Sequence, residues 1–223
     1  MCGRFTRKDN FKQLAESLGL AHLPPLEPRY NIAPSQFIAC VRAKPASLEK
    51  ECVPLKWGLV PSWAQDPGIG QQMINARAET VPEKPSFRKA FQQQRCLIFA
   101  DGFYEWKREG KVKQPYYIRM KDHRPFVFAG LWDHWEKGDQ APIDSCTIIT
   151  TGPNGLMESI YNRMPVILHP DHHQFWLDHE TQNSQALQSL LKPYPGDEME
   201  AFPISLLVNN PRNDTALCLQ PAE

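Results

Sequence analysis

Arg95-Cys-Leu-Ile-Phe-Ala-Asp-Gly-Phe-Tyr-Glu-Trp-Lys107 is the stretch that decides how this chain is read. A hydrophobic strand runs through Asp101-Gly102 into an aromatic stretch, which predicts one strand over 95–107. Working outward, further short strands are expected at 73–79, 115–120, 125–132, 145–150, 164–168, 201–205 and 216–220. Ile38 to Val41 reads as a buried strand. Val53, Leu55, Trp57 and Leu59 alternate with Pro54, Lys56 and Gly58, as a half-buried edge strand does. Helices are expected near 86–94, 154–160, 171–179 and 183–191. An earlier one has Phe11, Leu14, Ala15 and Leu18 at i, i+3, i+4 and i+7, with Asp9 to cap it and Gly19 to end it. There is no βαβ alternation. The expected fold is α+β, with a mainly antiparallel, barrel-like β core and short flanking helices.

With 223 residues, one domain over 1–223 is expected, long enough to fold without staples. Lys+Arg and Asp+Glu both number 25, which excludes a histone-like blanket of positive charge. Contact with nucleic acid would need a local patch. The longest apolar run, Phe126 to Trp132, has seven residues, against the ~20 of a membrane helix. No secretory signal pattern opens the sequence, so a cytoplasmic protein with no membrane partner is expected. No Gly-rich phosphate loop is present, so no nucleotide cofactor is expected. The 21 prolines, about twice the ordinary ~5%, are scattered and mark turns within one body.

The six cysteines, Cys2, Cys40, Cys52, Cys96, Cys146 and Cys218, show no zinc-ligand spacing. In a reducing compartment they read as free thiols, four of them in core strands. Cys2 differs in kind, because loss of Met1 would make it the first residue. His169, His172 and His173 lack an acidic or cysteine partner in register, so no metal is expected. In Met73-Ile-Asn-Ala-Arg-Ala-Glu-Thr80 the period of two puts Asn75, Arg77 and Glu79 on one face and Ile74, Ala76 and Ala78 on the other. That polar trio reads as a cleft wall or as a solvated face. Glu105 lies between Tyr104 and Trp106; a carboxylate hemmed by aromatics is desolvated and gains general-acid character, whereas a surface Glu would not. Arg163 precedes a buried strand, and Arg4, Arg77 and Arg163 together would suit a phosphate.

These residues also carry a resemblance. Met1-Cys-Gly-Arg-Phe5, Arg29-Tyr-Asn-Ile-Ala-Pro34, Trp57-Gly-Leu-Val-Pro-Ser-Trp63, Asn75-Ala-Arg-Ala-Glu-Thr80, Phe99-Ala-Asp-Gly-Phe-Tyr-Glu-Trp106, Asn162-Arg-Met-Pro165 and Val208-Asn-Asn-Pro-Arg-Asn-Asp214 resemble, in order, the SOS response-associated peptidase (SRAP) family. The resemblance implies a monomeric sensor of abasic sites in single-stranded DNA that loses Met1 and crosslinks to the lesion through Cys2. It implies that Asn75 orients the sugar or Cys2, that Glu105 shuttles protons, that Arg4, Arg77 and Arg163 bind phosphates, and that Trp63 stacks on a base. The chain departs from the family at one position. Members usually have Ile-His before Asn-Arg-Met-Pro, where this chain has Ile160-Tyr161, and that histidine is thought to pass a proton during ring opening and reversal. Two other functions are open: a cysteine peptidase that removes its own Met1, and a non-catalytic single-strand-binding module.

An N-terminal cysteine is chemically suited to the crosslinking role. Its α-amine, pKa ~7.7–8.0, forms a Schiff base with an aldehyde, and the adjacent thiol, pKa ~8.5, then closes a thiazolidine ring. Only a ring-opened abasic sugar supplies that aldehyde; intact DNA does not.

Overall fold

The run at 95–100 is buried on both faces because the sheet to which it belongs closes on itself. In the computed structural model, residues 2–44, 47, 49–110, 112–181 and 183–222 are described. In chain order the elements begin with β1 (Phe5–Arg7), α1 (Lys12–Ser17), β2 (Arg29–Ile32), β3 (Phe37–Ala43), β4 (Lys50–Trp57), β5 (Asn75–Arg77), α2 (Arg88–Gln93), β6 (Arg95–Ala100) and β7 (Gly102–Glu109). They continue with β8 (Val112–Met120), β9 (Phe126–Trp135), β10 (Ile143–Thr151), β11 (Met164–Pro165), α3 (His173–Leu177), α4 (Ser184–Ser189) and β12 (Met199–Pro203).

β6 pairs with β3 and β9, β3 with β4, and β10 joins β4 to β9, which closes a barrel. Cys96, Ile98 and Ala100 point into the core that holds Cys40, Leu55, Trp57 and Phe128. Leu97 and Phe99 point outward, where they are covered by residues of α1 to α4. This double burial is why the run shows no polar alternation. The ladder is mainly antiparallel; β4 and β5 pair with β10 in parallel. A second sheet, in the order β12-β8-β7-β1-β2, packs on the barrel core through Phe5, whose ring lies 5.3 Å from Trp57 and 5.6 Å from Phe128. The fold is α+β, as expected.

Several expectations need correction. The strand over 95–107 is two strands in two sheets, because at Asp101-Gly102 the chain leaves the barrel for the second sheet. Residues 155–160 form successive turns instead of a helix, the first of them capped by Asn154, whose Oδ1 accepts from Met157 N at 3.0 Å. Residues 216–220 are mostly a 3₁₀ turn, Ala216–Leu219, and only beyond it does Pro221 bridge Ile204 at the end of β12. The segment 171–179 divides into a 3₁₀ turn, Pro170–His172, and the shorter α3. Asp9 does not cap α1, whose N-cap is Phe11; its backbone N–H donates to Asp101 instead. Gly19, at φ +73°, ends that helix as read. The six cysteines are free thiols.

At the crossover, a Cβ on Gly102 would lie 2.2 Å from Tyr117 Oη, and Tyr117 is completely buried. Gly102→Ala is therefore expected to destabilise the fold by about 1–3 kcal/mol through forced repacking. Chemical denaturation checks this, and a change under ~0.5 kcal/mol would show that the corner tolerates a side chain.

Candidate active site

β1 is laid beside β7 by the pairing of Phe5 with Phe103 and by Tyr104 N donating to Arg4 O at 3.0 Å. That brings Cys2, just before β1, alongside the strand that carries Glu105. Cys2 is completely buried in the barrel-side core. Burial pushes its thiol pKa up, and the nearby Glu105 charge adds to the shift. Glu105 is 3% exposed, and desolvation raises its carboxyl pKa to about 7. Met1 lies outside the described residues.

Glu105, Trp106, Arg108, Lys113, Tyr161 and Asn209 line an open cleft of about 370 Å³. Tyr161 is half-buried, packed on the same core as Cys2. Trp106 Nε1 donates to Asn209 Oδ1 at 2.7 Å, which fixes the indole to the wall formed by residues 208–214. Asn31 anchors that wall: its amide donates to the carbonyls of Val208, Asn210 and Asn213 at 2.8–3.1 Å. Asp214 accepts from the backbone N–H of Asn31 at 2.8 Å and from Arg29 Nε.

The other sequence-predicted residues have distinct settings. Arg4 is half-buried and donates to Asn31 Oδ1 and Val208 O, each at 2.8 Å, so its guanidinium braces the same wall. Asn75, Arg77 and Glu79 share one face of β5 and its continuation, while Ala76 and Ala78 are buried behind them. The Asn75 Oδ1 is buried with no hydrogen-bond partner among the described residues. Arg77 is exposed. Arg163 grips Glu79 with both terminal nitrogens, at 2.6 and 3.1 Å, and donates to Thr150 O at 2.6 Å. That clamp ties the face of β5 to the segment that carries Tyr161. Trp63 is 53% exposed and lies outside the cleft lining, next to the cluster of Val60, Ala64 and Trp135.

Sequence reasoning missed Arg108, Lys113, Trp106 and Asn209 as cleft residues. The available signal was the run of cations at the turn following Trp106, which reads as ordinary surface charge until β8 folds back beside β7. No group of His, Cys, Asp and Glu among the described residues is arranged to hold a metal ion.

The model for the family described as SOS response associated peptidase (SRAP) matches residues 1–211. This chain belongs to that family. It is 47% identical over 219 residues to the abasic site processing protein YoqW of Bacillus subtilis, covering 96% of this chain and 97% of that protein. It is 31% identical to the abasic site processing protein YedK of Escherichia coli, covering 99% and 100%. A solved protein from Bacteroides thetaiotaomicron superposes over the full length of both chains with a TM-score of 0.86 at 29% identity. No helix among the described residues is long and apolar enough to cross a membrane.

The Glu105 setting makes a thermodynamic prediction. Its folded pKa of about 7 exceeds the ordinary carboxyl value, so the native state favours the protonated form. Its contribution therefore turns unfavourable as pH rises from about 4.3 through about 7. Glu105→Gln should stabilise the fold at pH 8 relative to pH 4, by on the order of 1–3 kcal/mol. Denaturation at both pH values checks this, and a pH-independent difference would contradict the buried-acid reading.

Proposed function

We propose that this protein senses abasic sites in single-stranded DNA and crosslinks to them through Cys2 after loss of Met1. The observation that carries the reading is the juxtaposition of Cys2 with a buried carboxyl poised near neutrality. The free α-amine of Cys2 attacks C1′ of the ring-opened sugar and gives a carbinolamine. Glu105 in its acid form protonates the departing hydroxyl, so that one water leaves, the iminium forms and Glu105 is left as the carboxylate. The Cys2 sulfur then adds to the iminium carbon. Its proton passes to the Glu105 carboxylate, restoring the acid, the iminium nitrogen becomes a neutral secondary amine and the thiazolidine closes, with one water lost overall. Because burial holds the thiol protonated, amine attack precedes ring closure, and the thiol reacts once a base stands beside it.

The orphan Oδ1 of Asn75 is suited to accept from a sugar hydroxyl or from the Cys2 amine, which would satisfy a buried acceptor at the moment of reaction. Arg77, exposed, meets a flanking phosphate. Arg163 and Arg4 contribute mainly by holding the walls, with their remaining N–H groups toward the backbone, and Trp63 offers a stacking face outside the cleft. The lesion and not the sequence is recognised, since the reaction needs an aldehyde. No cofactor or metal enters the scheme, and a single copy working in the cytoplasm suffices.

Adduct formation with abasic single strands tests this. Cys2→Ser should leave only a reversible Schiff base that requires borohydride to trap, and an N-terminal extension should abolish the stable adduct. A stable adduct on N-terminally extended protein would contradict the mechanism.

Tyr161 in the cleft makes a second prediction. A phenol, pKa ~10, is a poor proton shuttle at pH 7, whereas an imidazole, pKa ~6.5, is a good one. A well-placed acid–base group contributes ~10²–10⁴ in rate. Tyr161→His is therefore expected to accelerate both crosslinking and its reversal and to introduce a pH dependence near 6–7, measured by quenched gel kinetics. Unchanged rates would mean that position 161 serves packing only.

A further inference from the structure

The β7–β8 hairpin carries charge that its own stability does not call for. Its end reads Lys107-Arg-Glu-Gly-Lys-Val-Lys113, four cations to one acid in a protein whose formal net charge is zero. Arg108 and Lys113 are direct cross-strand partners. Like charges placed directly opposite each other destabilise a sheet pair. Neither side chain forms an ion pair with any described residue, whereas Lys107 lies toward the Tyr116 ring at 6.0 Å. Both line the cleft that holds Glu105 and Tyr161. Trp106, two residues before Arg108, falls on the same face by strand alternation, and Asn209 fixes its indole there. A cation pair with no ion-pair partner among the described residues, at the mouth of a polar cleft and beside a fixed aromatic, suits an anionic chain.

We propose that Arg108 and Lys113 form a phosphate-gripping subsite that holds one flank of the single strand as it leaves the cleft. The inference rests on the reading of the cleft as a single-strand site and extends it. It assigns the hairpin to the nucleotides on one side of the lesion. The binding is sequence-independent, because it engages phosphates alone. The repulsion between the two cations is relieved when phosphate lies between them.

The test is fluorescence anisotropy on the full chain, with single strands carrying a tetrahydrofuran abasic analogue, which lacks the aldehyde and separates binding from chemistry. Strands with both flanks are compared with strands shortened on the 5′ or the 3′ side. Arg108→Ala/Lys113→Ala is expected to lower the slope of log K against log salt by about 1.4, two contacts at ~0.7 each, and to weaken binding about tenfold near 0.15 M salt. The loss should vanish on strands that lack one particular flank. Arg108→Lys, which keeps the charge, should retain the wild-type slope, and removal of the repulsive pair should leave the thermal midpoint undiminished. An unchanged slope, or a loss equal on all strands, would overturn the subsite. A wild-type chain that binds these strands but forms no adduct with true abasic DNA would sink the crosslinking reading and leave the subsite standing. A wild-type chain that binds no single strand would sink both.

Discussion

The carboxylate of Asp101 sits at the corner where the chain leaves the barrel for the second sheet, and the site depends on it. It is buried and accepts from Thr6 Oγ1 and from the backbone N–H groups of Lys8 and Asp9. Burial raises its pKa, and these donors together with the Lys8 charge act in the opposite direction. Hydrogen bonds to a charged group contribute roughly 1.5–3 kcal/mol each, so this carboxylate anchors a strand that is only three residues long. Together with the pairing of Phe5 to Phe103 and the burial of the Phe5 ring, that anchor holds β1 against β7. It fixes the far end of the short strand that leads from Cys2. Gly102 completes the corner by admitting the Tyr117 ring, whose hydroxyl lies 2.9 Å from Thr6 Oγ1.

From that corner the setting of the site follows by proximity and burial. A buried acid near neutrality and an orphaned acceptor on β5 are each costly to a fold that has no use for them. The surrounding wall is rigid by comparison. Asn31 and Arg4 satisfy backbone carbonyls of residues 208–213, and Asp214 accepts from the backbone N–H of Asn31, so this irregular segment is tied to β2 at several points. The cleft lies between this wall and the β7–β8 hairpin, whose Arg108 and Lys113 line it. Net neutrality of the whole protein is compatible with the proposed binding, since four cations stand together within residues 107–113.

The sequence was most legible where one physical signal dominated. The apolar runs at 38–41, 126–132 and 145–150 fall within strands, and the alternation at 75–79 gives the correct faces of β5. It was least legible where tertiary partners override local preference. Asp101-Gly102 reads as strand interior because nothing local says that the chain changes sheets there; the reason lies in Thr6, Lys8 and Tyr117, distant in sequence. Residues 154–160 are expected as a helix, and Asn154 caps their first turn, yet 155–160 remain a succession of turns. At the site, Cys2 and Glu105 were visible as unusual residues in unusual settings. Arg4 and Arg163 were visible only as cations, and their engagement with Asn31 and Glu79 needed the fold. Arg108 and Lys113 looked like ordinary surface charge, because cross-strand pairing is invisible until the hairpin is folded.

The central claim is that the α-amine and thiol of residue 2 together capture an abasic aldehyde. The most direct measurement is the intact mass of the purified protein before and after incubation with an abasic single strand, followed by proteolytic mapping of the adduct. The account predicts a starting mass without Met1, a product equal to protein plus DNA less one water, and the modification on residue 2. A stable adduct mapped to a lysine, or no covalent product from protein whose N-terminus is Cys2, would contradict it.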